Sequence, residues 1–143
     1  MDLTTTLSEE LLPALERFDV RLLRADATEA ILLGPTFALH LFAFRDDVDL
    51  FYVERGADSK LLEYALRPLV MARFTKEDNA LYGDPGTTRE VLAAGLCVYA
   101  AGLTARCEDL LRGEKDWLKR DVWEGSPANA FAEEALRGKL QLP

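Results

Sequence analysis

Few residues in this chain have side chains suited to catalysis. The 143 residues include one histidine, His40, and two cysteines, Cys97 and Cys107. A histidine that acts as a general base needs an acid to orient it and a nucleophile to activate. No motif around His40 supplies either group. We therefore expect a structural or partly exposed histidine within a strand, between Leu39 and Leu41.

The same scarcity argues against a metal or nucleotide site. One histidine and two distant cysteines do not make a structural zinc site. The acidic run of Asp46, Asp47 and Asp49 fails as a calcium loop, because it lacks the glycine at the sixth position and continues as a strand-like segment. Gly83 to Gly86 lacks the Lys-Ser/Thr ending of a phosphate loop. We predict no metal, no cofactor and no catalytic residue.

The charge of the chain is informative about its partners. The formal net charge is −8, and residues 1–71 contribute most of it, with 13 acidic and 7 basic side chains. Nucleic-acid binding needs clustered Lys and Arg to neutralise phosphates, and neither half has such a cluster. We expect a charged partner to be basic and to face the N-terminal half. Acidity that serves only solubility is the alternative.

The cysteines and the apolar runs predict a cytoplasmic protein that does not enter a membrane. Cys97 and Cys107 lie ten residues apart on one predicted helix, roughly 15 Å, which is too far for a disulfide. Free thiols suit a reducing compartment. The N-terminus lacks the basic and apolar regions of a signal peptide. The longest uncharged run, Val91 to Ala105, is shorter than the about 20 residues of a membrane span.

Apolar periodicity predicts one α+β domain over residues 1–143. The N-terminal half should form an antiparallel sheet of three to four strands, packed against a mostly helical C-terminal half with one long central helix. The predicted strands are 20–23, 29–33, 37–44 and 48–54, and the predicted helices follow Thr6, Asp58, Thr87 and Ser126. The central helix begins at the capping box after Thr87 and should run to Leu111.

Two groups of residues are candidates for contact with a partner protein. Asp46, Asp47, Asp49 and Glu54 crowd carboxylates around one predicted hairpin. Asp is also common in solvated turns, which is the simpler interpretation. Trp117 and Trp123 flank a short amphipathic segment, and tryptophan is enriched in binding hot spots. The alternative for both tryptophans is packing in the core or under a lid.

A short stretch of sequence resembles a known class of proteins. After the strands, the chain reads Lys60-Leu61-Leu62-Glu63-Tyr64-Ala65-Leu66-Arg67, and a later helix closes in Leu110-Leu111-Arg112-Gly113-Glu114-Lys115-Asp116-Trp117-Leu118. Over residues 37–118 this order resembles small uncharacterised bacterial α+β proteins of the toxin-immunity type. The resemblance implies a cytoplasmic binding protein that blocks a cognate partner, and it supplies no catalytic residues.

We predict a non-enzymatic protein that binds another protein through an acidic face. As an immunity protein it would occlude a basic toxin surface. Two alternatives remain. A small acidic secretion-type chaperone should form a homodimer and expose an apolar groove. An enzyme with an unrecognised carboxylate site, for which 25 acidic residues are available, should have a deep pocket lined by carboxylates.

Overall fold

The computed structural model describes residues 3–44, 47–120 and 125–140. The chain begins with helices α1 (Leu3–Glu10) and α2 (Leu12–Leu15) and a 3-10 turn (Glu16–Phe18). Five strands follow: β1 (Arg21–Ala25), β2 (Glu29–Leu33), β3 (Ala38–Phe44), β4 (Asp47–Arg55) and β5 (Leu61–Ala65). The remaining elements are α3 (Arg67–Arg73), α4 (Lys76–Ala80), α5 (Thr88–Arg106), α6 (Glu108–Leu111), α7 (Asp116–Arg120), the short strand β6 (Ser126–Pro127) and α8 (Ala130–Ala135).

The strands of the described residues form one antiparallel sheet in which each strand pairs with its neighbour in sequence. The order is β1-β2-β3-β4-β5-β6. The longest pairing joins β3 to β4, from Ala38 opposite Val53 to Phe44 opposite Asp47. The predicted α+β class is confirmed, with an antiparallel sheet in the N-terminal half and helices after it. The predicted three to four strands are wrong, because the sheet has six.

The fifth strand occupies a segment for which the sequence predicts a helix. Asp58 does not cap a helix there; its side chain accepts the N–H of Lys60 within a tight turn. The Gly56 N–H donates to the Lys60 carbonyl at 2.7 Å, and Ser59 takes the left-handed backbone conformation (φ 66°) that reverses the chain. The turn brings β5 against β4. The backbone hydrogen bonds that β5 forms with β4 stabilise a strand more than the helix propensity of these residues stabilises a helix.

One face of the sheet carries the main core. Side chains of even-numbered residues in β4, Val48, Leu50 and Tyr52, point into this core, which α1, α2 and α5 cover. The Tyr99 hydroxyl of α5 donates to the Val48 carbonyl at 2.8 Å and ties the helix to the strand. Burial raises the pKa of Tyr99 strongly, so the hydroxyl stays a donor at any physiological pH.

The opposite face is covered over part of its area only. The last helix, α8, and the residues after it pack Ala132, Leu136 and Leu140 against Ile31, Val53 and Leu61 of the sheet. This second core lies at the end of the sheet where β4 finishes. Apolar residues on both faces of β3 and β4 predict such two-sided coverage.

The central helix begins where the sequence predicts. The Thr87 hydroxyl accepts the Glu90 N–H at 3.2 Å and caps α5. The helix ends at Arg106 and not at Leu111, because Cys107 leaves helical geometry (φ −127°, ψ 34°) and α6 begins as a separate turn. No helix in the described ranges is both long enough and apolar enough to cross a membrane.

Close packing of α5 gives a stability test with an internal control. A Cβ at Gly102 would lie 2.2 Å from the Phe74 ring, whereas a Cβ at Gly95 would lie 3.7 Å from Val48. We expect Gly102→Ala to lower the free energy of unfolding by about 1–3 kcal/mol through overpacking. Gly95→Ala should leave it unchanged or raise it by up to about 1 kcal/mol through helix propensity. Urea denaturation measures both, and equal effects would contradict this packing.

Candidate protein-binding face

The part of the second sheet face that α8 leaves open carries three phenylalanines from the central hairpin. Phe42 and Phe44 point outward from β3, and Phe51 points outward from β4. Phe44 is 66% exposed, and Phe42 and Phe51 are half-buried. The Phe42 and Phe51 rings meet edge to face with centroids 5.6 Å apart. All three side chains therefore expose part of their surface to solvent on this face of the sheet.

Carboxylates alternate with these rings across the strands. Asp49 is paired with Phe42 in the register, and Asp47 is paired with Phe44. Asp47 is exposed and Asp49 half-buried. We call the set of Phe42, Phe44, Asp47, Asp49 and Phe51 the aromatic–acidic face.

Local hydrogen bonds fix both carboxylates. Asp47 accepts from the Val48 N–H and Asp49 accepts from the Leu50 N–H, each at 2.9 Å. The other oxygen of Asp47 is ion-paired with Arg67. Within the described ranges, Asp49 has no such ion pair, but it contributes with Asp47 to raising the pKa of Arg67.

The other predicted contact residues lie elsewhere. Glu54 points to the main-core side of the sheet, where its carboxylate is 2.5 Å from Lys115 Nζ. Trp117 is 1% exposed, packs edge to face on Tyr52, and donates its indole N–H to the Glu114 carbonyl. Asp46 and Trp123 lie outside the described residues. The structure therefore brings together Asp47 and Asp49 and separates them from Glu54 and Trp117.

A buried Glu–His–Glu trio adjoins the aromatic–acidic face. His40 is fully buried, and its two ring nitrogens face two carboxylates. Nε2 lies 2.8 Å from Glu29 Oε2, and Nδ1 contacts Glu63 Oε1. Sequence reasoning expects no orienting acid beside His40, and that expectation is wrong. A neutral imidazole has one N–H and can donate to only one of the two carboxylates, whereas a protonated ring can donate to both.

The start of α8 covers this trio. The Phe131 ring lies nearly parallel to the imidazole, with centroids 6.1 Å apart. Asn129 caps α8 through the Ala132 N–H and also donates its amide to Glu29 Oε2 at 3.0 Å. Arg24 lies over the outer side of Phe131, 4.7 Å from its centroid, and pairs with Glu134. With both nitrogens occupied and a ring above it, His40 is positioned to hold the sheet and α8 together.

Carboxyl groups with shifted pKa values lie away from this face. The pKa of Asp26 is lowered by the N–H groups of Thr28 and Glu29. That of Asp78 is lowered by the Thr75 N–H, with a smaller contribution from Arg106. These carboxylates cap a turn and a helix, respectively, so their shifts have a structural cause.

A groove of about 300 Å³ has both members of the Asp47–Arg67 ion pair in its lining. It is lined by Val98 and Tyr99 of α5 and by Tyr82, which is partly exposed. Asp47 therefore belongs both to this groove and to the aromatic–acidic face.

The comparisons with known proteins add no further information: no family model, no curated protein and no solved structure matches the chain. The resemblance to immunity-type proteins accordingly stays a prediction.

The trio gives a second testable expectation. His40→Leu removes the imidazole between the two carboxylates and leaves Glu29 with only the Asn129 amide as a donor, which should cost about 3–5 kcal/mol of unfolding free energy. Glu63→Leu should also destabilise the fold. The double variant should lose clearly less than the two single losses combined, because it no longer contains the facing pair. Urea denaturation of the four proteins tests this, and additive losses would show that the groups act independently.

Proposed function

We propose that this chain is a non-enzymatic protein that binds another protein through the aromatic–acidic face, and that the partner presents arginine or lysine side chains there. The observation that carries the proposal is Phe44, a large apolar side chain 66% exposed beside Asp47 on the central hairpin. Exposed single apolar residues are common, but a cluster of three rings in one patch is typical of interaction sites.

The energetics of this face suit a protein interface. Burying a phenylalanine side chain contributes about 1.5–3 kcal/mol, so covering Phe44 and the open edges of its neighbours supplies a compact anchor. Aromatic anchors at the centre of an interface carry much of the binding energy. Carboxylates around them chiefly increase the association rate and select a basic partner. The excess of negative charge in residues 1–71 extends the same field.

The chain itself contains a contact of the kind we propose. Arg24 lies over the Phe131 ring and ends on the Glu134 carboxylate at 3.1 Å. An arginine that meets a phenylalanine and an acid in this way gains both cation–π and ion-pair energy. Phe42 with Asp49 offers the same two groups to an arginine of another protein.

The sequence resemblance favours one biological role for such a protein, which is immunity towards a basic toxin. The chain would cover a basic cleft of its partner, and the carboxylates would replace the anionic substrate of that cleft. A chaperone is the alternative, and it would use the same rings to hold an unfolded segment or a second copy of this chain. The Glu–His–Glu trio lends little support to an enzyme, because Phe131 covers the imidazole.

The first test compares baits that differ at one exposed apolar residue. Wild-type chain, Phe44→Ser and Leu81→Ser are each used to capture proteins from a lysate of the native host. Leu81 is 51% exposed and lies outside the aromatic–acidic face, so it is a matched control. We expect one basic protein to be retained by the wild type and by Leu81→Ser, and its affinity for Phe44→Ser to fall at least about tenfold, or 1.4 kcal/mol. Equal retention by all three baits would exclude the face.

The second test measures charge steering with the captured partner. Asp46, Asp47 and Asp49 changed together to Ser should slow association several-fold at low salt, and the difference should shrink as salt screens the field. The control changes Glu9, Glu77 and Asp84 to Ser, which removes the same charge from exposed positions elsewhere. Association rates come from stopped-flow or surface-based binding. An equal slowing in both triple variants would point to net charge alone.

A further inference from the structure

A second site lies at the opposite end of the sheet, where the two helical layers meet. There a cavity of about 650 Å³ is bounded by the β2–β3 turn, the end of β4, the α6–α7 connection and the residues after α8. Its polar lining includes Thr36, Glu54, Arg55, Lys115 and Lys139. The volume falls within the range of small-molecule sites, and the site is separate from the aromatic–acidic face.

The charge of this cavity is opposite to that of the protein. Three cationic side chains line it, against the single carboxylate of Glu54, in a chain of net charge −8. Glu54 is committed to Lys115, with its oxygen 2.5 Å from Nζ. In the described part of the chain, no carboxylate forms an ion pair with Arg55 or Lys139. Among the described residues, these two positive charges at the wall therefore have no carboxylate partner.

Arg55 is held rigidly by neutral groups. Its guanidinium donates to the carbonyls of Ser59 at 2.6 Å, Leu140 at 2.7 Å, Lys139 at 2.9 Å and Leu136 at 3.3 Å. Carbonyl oxygens orient a guanidinium without neutralising it. A half-buried cation that is fixed in this way loses little side-chain entropy when an anion binds, so the free-energy cost of binding is low.

Unusual backbone conformations shape the same wall. Leu140 is buried with φ 56°, a left-handed conformation that costs energy for a residue with a branched side chain, and its carbonyl faces Arg55. Gly113 has φ 82°, and a Cβ there would lie 2.6 Å from Thr36 Oγ1. Both residues line the cavity. Glycine adopts positive φ readily, so the backbone strain lies at Leu140, and strain at a non-glycine residue often marks a functional site.

We propose that this cavity binds a small anion that carries a carboxylate or phosphate group, with Arg55 and Lys139 as its charge partners. The Lys115–Glu54 pair offers a donor and an acceptor to other polar atoms of the same molecule. This site does not depend on the protein-binding function, and either can be wrong without the other.

The test is an NMR titration of the full chain with two probes, inorganic phosphate and succinate, which separate the two anion chemistries. We expect saturable shifts of the Gly113 and Gly138 amide signals with at least one probe, at concentrations up to about 20 mM, because small anions bind weakly. Lys139→Gln should weaken that binding at least fivefold. Lys76→Gln, which removes one exposed lysine from α4, should leave it unchanged.

The titration has clear contrary outcomes. Lack of a saturable shift at Gly113 and Gly138 with both probes would overturn the site. Equal weakening by Lys76→Gln and Lys139→Gln would show non-specific attraction and would also overturn it. Unchanged binding in Lys139→Gln would remove the proposed charge partner. Saturation by one probe only would support the site and identify its anion class.

Discussion

The whole arrangement depends on the register of the β3–β4 hairpin. Side chains in a strand alternate between faces, so pairing Phe42 with Asp49 fixes which residues face α5 and which face outward. A slip of one residue would turn Leu50 and Tyr52 to the open face and drive Asp49 and Phe51 into the main core. Burial of the even-numbered residues of β4, reinforced by the Tyr99 hydrogen bond to Val48, opposes that slip.

The second face is divided between two uses. Helix α8 covers the polar trio around His40 and the apolar residues near the end of β4. The phenylalanines of the hairpin lie beyond its reach. A buried polar network that is fully paired favours one arrangement over others, since half-paired alternatives are costly. The trio thus holds the start of α8 against the sheet through Asn129 and Phe131.

The sequence predicts the central elements well because their signals are local. Aromatic and β-branched residues mark β3 and β4, and the Thr87 cap marks the start of α5. The sequence-based prediction is wrong at β5, because the spacing of Leu61, Leu62 and Leu66 also fits a helix. This segment forms a strand because Ser59 adopts a left-handed turn and because the edge of β4 is available for pairing. Neither feature can be inferred from a few consecutive residues of sequence.

That one error conceals the trio as well. Glu63 reaches His40 across β4 only because β5 is a strand, so a helical interpretation separates the two residues. Glu54 is a different case, because the alternation of β4 already places it on the face opposite Asp47 and Asp49. The even number of Glu54 and the odd numbers of Asp47 and Asp49 could therefore have predicted that they lie on opposite faces of the sheet. Trp117 had no such signal, since its burial depends on how α7 packs beneath Tyr52.

The most direct test of the central claim follows the phenylalanines themselves. The chain has seven, and fluorine NMR of fluorophenylalanine-labelled protein can observe each once single substitutions assign the signals. On addition of the captured partner, our account requires the Phe42, Phe44 and Phe51 signals to shift while those of the core residues Phe37 and Phe74 stay in place. An unchanged Phe44 signal in the saturated complex would contradict it.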